Sequence, residues 1–161
     1  MIALHLLRHA HAGDATTWAE PDALRPLTDK GRRQAGRLGR FLADRGFTTD
    51  LILTSPKVRA AQTAEIVAES LGVEVIVDDR LGDMLEVRTV ERILAEHGDP
   101  IAPVLVGHDP DFSDLVASLC GAGQVPMRKG SLARIELDRP LQSGGGTLRW
   151  LIPPDLLKSE R

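Results

Sequence analysis

The chain opens with MIALHLLRHAHA, residues 1–12, and the reading of this stretch decides the fold. Residues 2–7 are apolar except for His5, a continuous run with the length and character of a central strand covered on both faces. Arg8 and His9 stand where such a strand would end. In open α/β sheets ligands sit just beyond the carboxyl ends of strands, so this pair is expected to face a crevice rather than a core. His5, alone within the strand, is read as a packed structural side chain.

Outward from that strand, residues 10–27 hold Gly13, Asp14, Pro21, Asp22 and Pro26 without a hydrophobic period, and predict a loop rimming the crevice. Thr28 is placed to cap a helix with Ala35, Leu38, Phe41 and Leu42 inward and Gly46 at its end. Gly31, Gly36 and Gly39 each cost this helix up to about 1 kcal/mol relative to alanine, a loss that close packing on the sheet would offset. Residues 51–54 read as a second strand. Ser55-Pro56 then reads as the cap and first turn of a helix that carries Arg59, buries Ala60, Ala64, Val67 and Leu71, and stops at Gly72. A basic residue this near a helix start opposes the dipole, which points to a bound anion as the reason for Arg59.

Residues 74–77 form a third expected strand, and a polar segment leads to a helix from Thr89 to Gly98 with Val90, Ile93 and Leu94 inward. His97, in its last turn, is read as a helix-end residue, where a cation suits the dipole. Residues 103–106 are the fourth strand, after which Gly107-His108-Asp109-Pro110 repeats the opening arrangement of an apolar strand with a histidine at its tip. Asp109 is expected to cap a helix burying Phe112, Leu115, Val116 and Leu119. Residues 132–137 and 147–152 are a final strand pair around Gly144-Gly145-Gly146, a turn that lacks any phosphate-loop pattern. The predicted architecture is α/β: one domain over residues 1–161, a three-layer sandwich with a mostly parallel central sheet and helices on both faces.

Composition narrows the function. With 20 Lys and Arg against 23 Asp and Glu, the net charge is −3 and gives no global basic field, so no nucleic-acid partner is expected and any basic site must be local. Cys120 is the one cysteine, which excludes an internal disulfide or a cysteine-based zinc site and suits a reducing, cytoplasmic setting; it is read as packed and inert. The apolar run at residues 2–7 is too short for a membrane span and carries no targeting pattern.

Three strand exits therefore deliver Arg8 with His9, Arg59, and His108 to one edge of a parallel sheet. Two guanidiniums and a protonated imidazole suit the three non-bridging oxygens of a phosphoryl group, and the other imidazole can attack phosphorus. No metal or other cofactor is required, because the clamp's own charge does the work of a cation. Met127, Arg128, Lys129 and Ser131 are read as a solvated loop rather than as lining of this crevice.

LLRHA at residues 6–10, SPKVRAAQTA at 55–64 and VGHDP at 106–110 resemble the histidine phosphatase superfamily, over at least residues 1–119. Within it, RPLTDKG at residues 25–31, the short chain and the lack of a large inserted cap are most similar to SixA-type phosphohistidine phosphatases. The resemblance implies a phosphoglycerate-mutase-like fold, with His9 as the nucleophile that becomes phosphorylated and Arg8, Arg59 and His108 as the phosphate pocket. It departs from the common RHG pattern at Ala10, and it assigns no general acid: Asp83 and Glu86 lie in roughly the right region but match no motif. A missing acid favours N-phosphates, because a protonated imidazole leaves more readily than an alkoxide. The expected partner is a phosphoprotein or a small phosphorylated substrate, met by a monomer. Three rival readings stand beside this one: a metal-dependent hydrolase using His9, His11 and His108, a small-molecule phosphatase or mutase, and a phosphate-binding module without turnover.

Overall fold

The computed structural model describes residues 1–158. Its strands are β1 (Ile2–Arg8), β2 (Ile52–Thr54), β3 (Val75–Val77), β4 (Val104–Gly107), β5 (Leu132–Leu137) and β6 (Gly146–Ile152). Its longer helices are α1 (Asp29–Asp44), α2 (Val58–Leu71), α3 (Val87–Glu96) and α4 (Asp111–Cys120). The strands form one sheet in the order β3-β2-β4-β1-β5-β6; the first four are parallel, and β5 and β6 are antiparallel additions on the far side of β1.

The pleat sends neighbouring residues of β1 to opposite faces, and this builds two cores. Leu4 and Leu6 join Leu53, Leu105, Ile93, Leu94 and Phe112 under α3 and α4. Leu7 joins Leu38, Ile52, Ala64, Val67 and Val106 under α1 and α2. The expected three-layer sandwich is therefore present, with helices on both faces of the sheet. His5 is fully buried: its Nδ1–H donates to the Pro103 carbonyl at 3.0 Å, and the Phe47 ring lies edge-on at 4.8 Å.

Helix α1 begins as its sequence directs, with the Thr28 hydroxyl accepting the Gly31 N–H. Gly31 is needed because a β-carbon there would overlap the His11 carbonyl, and one at Gly39 would come within 2.6 Å of Ser70 Oγ. Gly36 has no comparable reason, since only the flexible Arg40 side chain is near.

Three helix starts differ from expectation. α2 begins at Val58 with Lys57 as cap residue, because the Ser55 hydroxyl bonds His108 and accepts the Lys57 N–H in a turn before the helix. α3 starts at Val87 rather than Thr89. α4 has Pro110 as its cap residue, while the Asp109 carboxylate accepts the backbone N–H and hydroxyl of Ser113. His97 is the cap residue closing α3, and its Nε2 lies 3.0 Å from Asp78, so the reading as a helix-end side chain holds.

Candidate active site

β2, β4 and β1 are neighbours in the sheet, with Arg8 opposite Gly107 and Thr54 opposite Val106, so their exits open side by side. The β1 exit is pinned from several directions. The Arg8 N–H donates to the Ser131 carbonyl and the His9 N–H to the Gly107 carbonyl, both at 3.0 Å, while Gly130 N–H reaches the carbonyls of Arg8 and His9. The Ala10 N–H donates to Thr63 Oγ1 of α2, whose hydroxyl donates to the Arg59 carbonyl. Ala10 itself is fully buried against Ala12, Leu27 and Ala35, so an alanine side chain after His9 fits the packing.

The structure brings the four anticipated groups together. The His9 and His108 rings lie 5.2 Å apart between centroids, and both residues are buried. His9 Nδ1 is 2.8 Å from the Ala10 carbonyl. A carbonyl can only accept, so Nδ1 carries the proton and Nε2 keeps its lone pair. Burial, reinforced by the charges of Arg59, Arg8 and Lys129, pushes His9 down to about 3. His108 is likewise pushed to about 3, chiefly by burial, with the positive charges of Lys57 and Arg59 adding to it. Both imidazoles are therefore neutral at pH 7. A phosphoryl dianion placed among these cations would oppose their effect and favour the protonated imidazole expected in the clamp. His108 Nε2 is 2.7 Å from Ser55 Oγ, and its Nδ1 is buried without a partner among the described residues.

Both guanidiniums are held by internal acceptors. Arg8 Nη1 donates to the Met127 carbonyl at 2.7 Å and lies 3.4 Å from Asp109 Oδ2. Arg59 donates to the Asp22 carbonyl and to Asp22 Oδ2, both at 2.9 Å. Arg25 also meets Asp22 and is anchored on the Ala12 carbonyl. Burial opposes ionisation of Asp22, but Arg59 and Arg25 outweigh it and hold the carboxyl below its usual range. Lys129 is half-buried and its pKa is depressed, first by burial and then by Arg8, Arg25 and Arg59.

Several of these residues gave no sequence signal of their own. Asp22 was legible only as part of a rim loop, and nothing local pairs it with an arginine 37 positions later. Ser55 was read as a helix cap and instead supports His108. The segment 127–131 was read as a solvated loop. In the structure Met127 and Ser131 are buried, and Lys129 lines a groove with Arg8, because the segment runs back across the end of β1.

The other candidates have surroundings of their own. His11 turns to Thr28, with Nδ1 2.7 Å from Thr28 Oγ1, which removes it from a His9–His11–His108 metal triad. Among the described residues no three His, Cys, Asp or Glu side chains gather to hold a metal ion. Glu86 is exposed at the start of α3, 4.0 Å from Arg88. Asp83 is exposed on a hollow of about 470 Å³ shared with Ala23, Pro56 and Lys57, beside Gly82, which packs against Ser55 and Pro56.

A buried and a part-buried guanidinium around a histidine with an unprotonated Nε2 can bind a tetrahedral anion and attack it. Known proteins share this sequence and fold. The family model of the histidine phosphatase superfamily, branch 1, matches residues 4–107. The chain is 34% identical to the phosphohistidine phosphatase SixA of Escherichia coli over 160 residues, 95% of this chain and 94% of that one. It superposes on a structure of the protein histidine phosphatase SixA complexed with tungstate with a TM-score of 0.84 and 28% identity, covering 98% of this chain and 100% of the other. A SixA-type structure from Agrobacterium tumefaciens matches with a TM-score of 0.77 and 25% identity over 95% and 98% of the two chains. By sequence and by fold, this chain belongs to the histidine phosphatase superfamily.

Proposed function

We propose that this chain is a phosphohistidine phosphatase that works through a phosphorylated His9. The observation that carries the reading is the Nδ1–H bond of His9 to the Ala10 carbonyl, which leaves Nε2 as a nucleophile in the one place where Arg8, Arg59 and His108 converge. In the first step His9 Nε2 forms a bond to phosphorus while the bond from phosphorus to the substrate nitrogen breaks. In the second step water attacks phosphorus and returns the electron pair to Nε2, releasing orthophosphate. Arg8 Nε and Arg59 Nε, both without a partner among the described residues, donate to phosphoryl oxygens, and His108, backed by Ser55, donates from Nδ1 to the third.

The substrate class follows from what the site offers a leaving group. Two of its carboxylates, Asp22 and Asp109, lie against Arg59 and Arg8, and Asp22 is held ionised, so it is a poor proton donor. An imidazole leaving group needs less help than an alkoxide, which favours protein phosphohistidine over O-phosphates. The likeness to SixA supports the same choice, and tungstate in one of those structures is a tetrahedral oxyanion like phosphate.

Brief exposure to a chemically phosphorylated histidine protein, followed by quenching, is expected to trap an adduct that survives base and is lost in acid. His9→Ala should abolish both adduct and turnover, and chelators should leave the wild-type rate unchanged. Phosphate release without any trapped adduct, at the same rate in His9→Ala, would overturn the assignment. Equal kcat/KM on phosphohistidine and on an alkyl phosphate would overturn the substrate class.

A further inference from the structure

Beside the phosphate site lies a groove of about 320 Å³ between α1 and the segment that follows α4, lined by Arg8, Lys30, Arg128 and Lys129, with Asp155 as its acidic member. Arg128 and Asp155 stand 3.6 Å apart with side chains 77% and 71% exposed, a pair too solvated to neutralise the groove. The positive character continues along α1, which carries Lys30, Arg32, Arg33, Arg37 and Arg40 against Asp29 and Asp44. Among the described residues none of those five cations pairs with a carboxylate, although most other arginines of the chain do. Lys30, Gln34 and Arg37 fall at i, i+4 and i+7 and share one flank of the helix. That flank starts at the site itself, since Gln34 Oε1 accepts the backbone N–H of His11, two residues beyond His9.

A chain of net charge −3 thus concentrates positive charge, unpaired among the described residues, along one path leading out of its phosphate site. We propose that this groove and the basic flank of α1 dock acidic side chains flanking the phosphorylated residue of a protein substrate. The inference rests on the phosphatase reading above. Lys30 to Arg37 spans about 10 Å of helix, the length of about three extended residues, so carboxylates close in sequence to the phosphorylated histidine reach it. Charge on an open surface of this kind acts mainly through the rate of productive encounter and is screened by salt.

The test uses three substrates: free phosphohistidine, a phosphohistidine peptide flanked by Asp and Glu, and the same peptide flanked by Gln. Wild type is expected to favour the acidic peptide over the Gln peptide by about tenfold in kcat/KM at low salt, with the preference fading at high salt. Lys30→Gln/Arg128→Gln, which neutralises two exposed residues of the groove, should erase that preference and leave turnover of free phosphohistidine unchanged. Equal kcat/KM for the two peptides with wild type would overturn the docking role without needing any variant to fold. A double variant that loses activity equally on all three substrates would overturn it as well. Failure of wild type to hydrolyse free phosphohistidine would instead overturn the phosphatase reading, and the docking role with it.

Discussion

At the scale of single residues, the site is a set of charges held apart from one another until an anion arrives to join them. Asp22 shows how. Its carboxylate accepts from Arg59 Nη2 at 2.9 Å and so competes with an incoming anion for that guanidinium, while Arg59 Nε has no partner among the described residues. Asp22→Asn keeps the size of the side chain and the backbone carbonyl contact but removes the competing charge. It should bind inhibitory orthophosphate or tungstate about fivefold more tightly. Because Arg59 and Arg25 hold Asp22 ionised below the usual carboxylate range, the gain should persist from pH 5 to pH 9. Weaker anion binding in the variant would mean that Asp22 positions Arg59 rather than competes for it. Arg8, His9, Arg59 and His108 were each legible in the sequence because they follow strand ends or open a helix. Asp22 and Lys129 were not, because the residues they meet are remote in sequence and no period or motif links them.

Among the elements, α1 carries the clearest test. Gly31 stands where the helix start crosses the chain just beyond His9, and a side chain there would drive the first turn of α1 off the His11 carbonyl. Gly31→Ala is expected to lower stability by about 2 kcal/mol and to reduce turnover, since His11, Gln34 and the groove move with that turn. Gly36→Ala, whose new methyl meets only the Arg40 side chain, should raise stability by up to about 1 kcal/mol through added helix preference. Thermal unfolding of the two variants side by side separates a packing requirement from a mere propensity cost. The sequence located both glycines in a helix and could not tell them apart, because the difference lies in what another segment places against each.

Across the whole molecule, burial of neutral histidines makes the fold sensitive to acid. His5 is pushed from 6.5 to about 4 by burial, and His9 and His108 to about 3. Each folded value lies below the unfolded one, so the unfolded chain binds more protons and stability rises with pH until it levels off above 6.5. Acidification from pH 7 should therefore lower the thermal midpoint progressively. For His5 alone the loss at pH 5 is about 2 kcal/mol. His5→Leu should flatten that slope, since the Pro103 carbonyl still receives the backbone N–H of residue 5. An unchanged slope would show that His5 opens to solvent before it titrates. The sequence by itself determined the order of strands and helices, the four groups at the strand ends and the family, because hydrophobic period, caps and contiguous motifs are local properties of the chain. Only the tertiary structure decided that both histidines are neutral, that Asp22 holds Arg59, and that residues 127–131 return to the site to complete a basic groove. Those outcomes depend on desolvation and on contacts across 37 to 119 positions, which arise only once the sheet has brought distant segments to one edge.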